Sequence, residues 1–174
     1  MRIELARLDE SDGKFAHDYV PGELAVDDVR VHLDAPMRVS GRVAQSRGKV
    51  VVAGKLETRV NVDCDRCLRY VDLPVQTEFS LEYVTTEAYE ATSAAELTDE
   101  DLELSVFDGE SIDVDELVRE QLLLTLPTRV LCEETCKGLC PICGADRNTA
   151  ECDCAANDID PRWQALTELA NGKS

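Results

Sequence analysis

Lys49-Val50-Val51-Val52-Ala53-Gly54-Lys55-Leu56-Glu57-Thr58-Arg59-Val60-Asn61-Val62-Asp63-Cys64 decides the fold class. Val50, Val52, Gly54, Leu56, Thr58, Val60 and Val62 fall on one side of a period-two pattern. Lys49, Val51, Ala53, Lys55, Glu57, Arg59 and Asn61 fall on the other. One dry face and one wet face are the mark of a half-buried β-strand. Upstream, Val39, Gly41 and Val43 alternate with Arg38, Ser40 and Arg42. The turn signal Ser46-Arg47-Gly48 joins the two runs into a hairpin. Cys64 continues the inward register, so the first cysteine pair, Cys64-x2-Cys67, stands where the strand runs out. A further strand is expected over Leu73 to Val84.

Beyond this sheet the pattern changes period. Asp113 is placed as a helix N-cap, with Glu116 in capping-box position. Val114, Leu117, Val118, Leu122 and Leu126 form an apolar stripe that Pro127 ends. That stripe is expected to pack on the sheet. Asp160-Pro161 opens a short final helix with Trp163, Leu166, Leu169 and Ala170 on its packing face and Gly172 at its end. The expected architecture is α+β: an antiparallel, barrel-like sheet, one amphipathic helix and a C-terminal zinc-knuckle segment. Residues 1–131 would form the main domain, with an acidic insertion near 85–110, and residues 132–174 a cysteine-rich appendage.

The chain has 174 residues, 44% of them apolar, which is enough for a proper core. No apolar run reaches the roughly 18 residues of a membrane span. The charged start, Met1 to Arg7, lacks the apolar stretch of a secretory signal, so the cytoplasm is expected. Eighteen Lys and Arg face 36 Asp and Glu, a net charge of -18. Nonspecific duplex binding is a poor expectation for such a chain. The acid is concentrated: residues 70–118 contain fifteen carboxylates and no Lys or Arg. Thr85 to Glu103 reads as a loop or short helix, either a solvated insertion or a lure for a basic protein. Residues 38–69 carry the opposite bias, eight Lys and Arg against three acids. Arg38, Arg42, Lys49, Lys55, Arg59, Arg66 and Arg69 are candidate RNA-phosphate contacts, although no aromatics interleave with them to stack bases.

Eight cysteines and two histidines point to metal rather than disulfides in a cytosolic chain. The pairs are Cys64-x2-Cys67, Cys132-x3-Cys136, Cys140-x2-Cys143 and Cys152-x-Cys154. Each close pair can clamp one side of a tetrahedral ion. Cys140-Pro141-Ile142-Cys143-Gly144 has the form of a zinc knuckle, the glycine permitting the positive φ that turns N–H groups toward sulfur. The economical partition puts Cys140, Cys143, Cys152 and Cys154 around one ion and Cys64, Cys67, Cys132 and Cys136 around a second. Spacing alone leaves swapped sets, or one occupied site with free thiols, open. An iron–sulfur cluster, a redox Cys-x-x-Cys or buried helical thiols are the competing readings. There is no P-loop, Gly-x-Gly-x-x-Gly or Gly-x-Ser-x-Gly, and no residue argues for an enzyme.

With these residues in view, the chain resembles the YceD family of bacterial and plastid proteins. The resemblance rests on Cys64-Asp65-Arg66-Cys67-Leu68 after a hairpin and on Glu120-Gln121-Leu122-Leu123-Leu124 running into Leu126-Pro127. It continues in Cys136-Lys137-Gly138-Leu139-Cys140-Pro141-Ile142-Cys143-Gly144, Cys152-Asp153-Cys154 and Asp160-Pro161-Arg162-Trp163. It implies a cytosolic ribosome biogenesis factor, linked to accumulation and processing of large-subunit ribosomal RNA, with no established enzymatic activity. Some proteobacterial relatives lack most of the C-terminal cysteines, so metal there would serve folding, with one or two zinc ions. The implied partners are ribosomal RNA or a pre-ribosomal particle, with a basic ribosomal protein as the alternative. Neither a membrane nor a small-molecule substrate is implied.

Overall fold

The computed structural model describes residues 1–7, 13–46, 49–92, 104–154, 161–163 and 166. Eight strands are set out along them: β1 (Arg2–Glu4), β2 (Gly13–Tyr19), β3 (Val31–His32), β4 (Met37–Ser46), β5 (Lys49–Asp63), β6 (Tyr70–Thr85), β7 (Leu104–Phe107) and β8 (Ser111–Asp113). Helix α1 spans Thr86–Thr92 and α2 spans Val114–Thr125. The main sheet runs β2-β4-β5-β6-β7, with β3 pairing with β5 beyond the end of β4. β1 and β8 form a separate antiparallel ribbon.

The quoted strand is the spine of this sheet. β5 pairs with β6 without a break from Lys49↔Val84 to Asp63↔Tyr70. The third strand of the hairpin system therefore starts at Tyr70, three residues before the expected Leu73. Its inward residues are the expected ones: Val50, Val52, Leu56, Val60 and Val62 are buried, as are Val39 and Val43 of β4. α2 lies over this face, and Val114, Leu117, Val118 and Leu122 join the same core. Asp113 caps α2 as expected, its Oδ1 accepting from the N–H of Asp115 at 3.0 Å and of Glu116 at 3.3 Å. That satisfies two of the donors a helix start leaves unpaired.

Three expectations need correction. The sheet is not closed into a barrel: β2 and β7 lie at opposite ends of its strand order and do not pair. The apolar stripe of α2 covers the dry face instead, so closure is not needed to bury it. Nor is the sheet wholly antiparallel, because β7 runs parallel to β6. A parallel return needs a crossover of a dozen or more residues. Residues 86–103, the heart of the expected acidic insertion, make that crossover. Its first part is α1, and 93–103 lie outside the described residues. At the C-terminus Pro161–Trp163 form a 3-10 turn. Trp163 and Leu166, expected to pack, are 58% and 52% exposed, and Leu169, Ala170 and Gly172 lie outside the described residues.

One row of the sheet is unusually tight. Phe15, Gly41, Gly54 and Phe79 are consecutive partners across β2, β4, β5 and β6. A Cβ on Gly54 would lie 2.7 Å from the Phe79 ring and 2.7 Å from the Ser40 carbonyl oxygen. Backbone oxygen cannot yield as a flexible side chain can, so the glycine is what lets the strands coil here. Gly54→Ala is expected to lower stability by about 1–3 kcal/mol, read as an earlier urea midpoint. An unchanged midpoint would mean the strands have room.

Candidate metal centre

The connection between β5 and β6 is itself a knuckle. Cys64 N–H donates to the Arg69 carbonyl at 2.9 Å, and Leu68 N–H donates back to the Cys64 carbonyl at 3.0 Å. The second knuckle repeats the pattern at the same offsets. Cys140 N–H donates to the Ala145 carbonyl at 2.8 Å, and Gly144 N–H to the Cys140 carbonyl at 2.9 Å. The turning residue has positive φ in both, 59° at Leu68 and 73° at Gly144. A leucine in the left-handed region is uncommon, which hides the first knuckle from sequence inspection.

Each knuckle is completed by a second cysteine pair. The sulfurs of Cys64, Cys67, Cys132 and Cys136 all lie within 4.8 Å of one another, and so do those of Cys140, Cys143, Cys152 and Cys154. The first group is buried except for Cys132, which is half-buried; in the second only Cys140 is buried. The segment carrying Cys132 is tied to the first knuckle by Asp65, whose N–H donates to the Val130 carbonyl at 2.9 Å and whose Oδ2 accepts from Val130 N–H at 2.6 Å. Arg66 donates through Nη1 to the Cys136 carbonyl at 2.6 Å. The two knuckles also touch. Leu139 N–H donates to the Arg66 carbonyl at 2.8 Å, and a Cβ on Gly138 would lie 2.8 Å from that same oxygen.

The donor set fits a tetrahedral thiolate-bound ion. Four sulfurs about 2.3 Å from a centre stand about 3.8 Å apart. Cys64 and Cys136 sulfurs are 3.9 Å apart, and Cys67 and Cys132 sulfurs 3.6 Å. A disulfide would need about 2.05 Å. The thiolates of an iron–sulfur cluster are shared among two or more irons, so some of them stand further apart than the 4.8 Å that contains each group. Backbone and side-chain donors are aimed at the sulfurs. Cys132 N–H reaches Cys64 Sγ at 3.4 Å, Asn148 Nδ2 reaches Cys136 Sγ at 3.4 Å, and the Arg69 guanidinium reaches Cys67 Sγ at 3.5 Å and Cys132 Sγ at 3.4 Å.

Burial works to raise the Cys64 pKa, but the N–H groups of Arg66, Cys132 and Cys67 bring it down to about 6. The N–H groups of Cys143 and Ile142 do the same for Cys140, also to about 6. Burial and its bonds to neighbouring cysteines push Cys132 up to about 12. The bond to Cys143, with burial, pushes Cys154 up to about 12. The Arg69 guanidinium lowers the Cys67 pKa as well, so Cys64 and Cys67 ionise ahead of Cys132, and in the second group Cys140 ionises ahead of Cys152 and Cys154; the late thiols resist because thiolates this close repel. A bound cation removes that repulsion.

The candidate RNA contacts are placed differently from the simple wet face expected. Arg38 pairs with Asp18 at 3.0 Å, Arg59 with Asp72 at 2.6 Å and Lys55 with Glu57 at 3.2 Å; Lys49 pairs with Glu82. Arg66 and Arg69 are turned to the cysteine groups, as described above. Among the described residues no carboxylate lies within 4.0 Å of Arg42. The local excess of positive charge in 38–69 is met by carboxylates from β2, β5 and β6, which a linear charge count does not see. His17 and His32 bond to Glu23 at 2.8 Å and Asp63 at 3.3 Å. Among the described residues no helix is long and apolar enough to cross a membrane.

Comparison with known proteins gives the family. An uncharacterised protein of Mycobacterium tuberculosis is 29% identical over 178 residues, spanning all of this chain and 83% of its own length. The YlbN protein of Bacillus subtilis is 29% identical over 136 residues, 78% of this chain and 74% of its own. A chloroplast protein of Arabidopsis thaliana, named a large ribosomal RNA subunit accumulation protein YCED homolog 1, is 27% identical over 165 residues, 82% of this chain and 51% of its own. No solved structure matches the chain. The family described as large ribosomal RNA subunit accumulation protein YceD matches residues 52–170, a stretch that holds β6, α2 and all eight cysteines, and the chain belongs to it.

Proposed function

We propose that the protein is a non-enzymatic, cytoplasmic ribosome biogenesis factor that supports synthesis, processing or stability of 23S ribosomal RNA. Each cysteine group holds one zinc ion as a folding device. Two complete four-thiol groups, each with its sulfurs within 4.8 Å of one another and the first with tetrahedral spacings, carry the metal part of this reading. The family's description supports the ribosomal part. In this reading 132–154 is an appendage riveted by metal to the far end of the β5–β6 hairpin. Arg38, Arg42, Lys49, Lys55, Arg59, Arg66 and Arg69 are its RNA-facing residues, and Arg42 is the least engaged of them.

A second reading has a specific observation behind it. Phosphate would have to displace the carboxylates that already hold Arg38, Lys49, Lys55 and Arg59. An acidic module that receives a basic ribosomal protein can draw on the carboxylates of 70–118 other than Asp72, Glu82, Asp113 and Asp115, which already hold cations. The test is to deplete the protein in its host and follow large-subunit ribosomal RNA. Depletion should lower that RNA relative to the small-subunit RNA, and the wild-type chain should restore it. An unchanged ratio would overturn the ribosomal reading. Co-purification then separates the two partners: precursor RNA lost on Arg42→Glu supports the first reading, and a basic protein lost on changing Glu96, Asp99, Glu100, Asp101 and Glu103 to the corresponding amides supports the second.

A further inference from the structure

We infer that the two cysteine groups take up metal as a coupled pair. The loop between Cys143 and Cys152, closed by the ion of the second group, supplies the outer shell of the first through Asn148 and Asp146. This rests on the metal reading above.

Asn148 is half-buried and uses both ends of its amide. Its Nδ2 donates to Cys136 Sγ at 3.4 Å and to Asp146 Oδ1 at 2.7 Å, and its Oδ1 accepts from Lys137 N–H at 2.7 Å. Asp146 accepts from Asn148 N–H at 2.9 Å. Its other oxygen, Oδ2, lies 3.9 Å from the Arg69 Nε. Arg69 in turn bonds the sulfurs of Cys67 and Cys132. Three of the four sulfurs in the first group thus receive a side-chain donor that is Asn148 itself or is faced by Asp146. Both residues belong, in the chain, to the second group's loop.

That loop has few other anchors. Arg147 N–H donates to the Gly138 carbonyl at 2.9 Å, and Leu139 bridges to Asp146. Its two ends are Cys143 and Cys152, both ligands of the second group. Without an ion there, the bonds among the described residues that hold Asn148 on Cys136 are these, the Cys140 N–H to Ala145 carbonyl bond and the contacts of Lys137 N–H and Arg69 with Asn148 and Asp146. Partners that orient metal ligands typically change affinity by about ten- to hundredfold. Coupling between binding sites is reciprocal, so each ion strengthens the other by the same factor. Asn148 is a positioning residue: it acts on the ion through Cys136.

Cobalt(II) is the probe, because its thiolate absorption counts sulfur ligands, and a competing chelator reads the affinity. The chains compared are wild type, Asn148→Ala, Cys152→Ser with Cys154→Ser, the combination of all three, and Cys64→Ser with Cys67→Ser to assign the steps. Removing the second group is expected to weaken the first about ten- to hundredfold. Asn148→Ala should cost a similar factor with the second group intact and little more once it is gone. The four-sulfur absorption of the first site should survive both changes, which separates weakened support from a lost ligand. First-site affinity that ignores loss of the second group, or an Asn148→Ala effect equal in both backgrounds, would overturn the coupling and leave the metal reading standing. A wild-type chain that binds no cobalt and shows eight titratable thiols would overturn both.

Discussion

Cys64→Ser should release one of two zinc ions and destabilise the far end of the β5–β6 hairpin by several kcal/mol. A structural zinc site supplies on the order of 10 kcal/mol of apparent folding free energy, and a serine cannot replace the thiolate. Cys64 is the right residue to remove because it is fully buried, accepts the Cys132 N–H and directly follows β5. The loss should be local. The cysteines of the first group pack with Val71, Leu131 and Leu139, whereas α2 and most of the sheet share another core that meets the first at Val71. Amide exchange should therefore accelerate over 64–72 and 130–139 and stay slow over 50–56. Native mass spectrometry counts the ions. Two ions and unchanged exchange in the variant would remove Cys64 from any metal site.

Leu122→Ala should act on the other core. Leu122 is wholly buried in the α2 stripe and belongs to the same core as Val118, Leu117 and the inward valines of β4 and β5. Truncation leaves a cavity that strands already paired on both sides cannot collapse into. The expected cost is about 2–5 kcal/mol. For a chain of this size the melting temperature should fall by roughly 5–15 °C. Metal content should stay at two ions, since no cysteine belongs to this core. A small shift, or a loss of metal, would mean that helix and cysteine groups are not the separate packing units described here.

The sequence made some of this legible because the physics was local. Alternation over Lys49–Cys64 states which side chains are inward, and Asp113 with its helix needs only neighbouring residues to be recognised. The pairing of Cys64 and Cys67 with Cys132 and Cys136 was within reach because four close pairs allow few partitions. Three things were out of reach for a common reason. The parallel β7 depends on where a crossover lands, not on what its residues prefer. The open sheet depends on α2 reaching across the dry face. The charge balance around Arg38 and Arg59 depends on Asp18 and Asp72, which are neighbours only in space. Asn148 was invisible too, because nothing in an Asn between two cysteine pairs marks it as a donor to a third.

The spacing of the cysteine pairs also sets a timetable for the growing chain. Cys140 to Cys154 lie close together, so the second group can gather as soon as its last member leaves the ribosome. The first cannot. Cys67 and Cys132 are 65 residues apart, and at about 5–20 residues per second that gap lasts roughly 3–13 s. Early in that interval the hairpin can form and offer two cysteines at its turn before α2 is made. A cell poor in free zinc, or rich in oxidant, meets the nascent protein at that half-built stage.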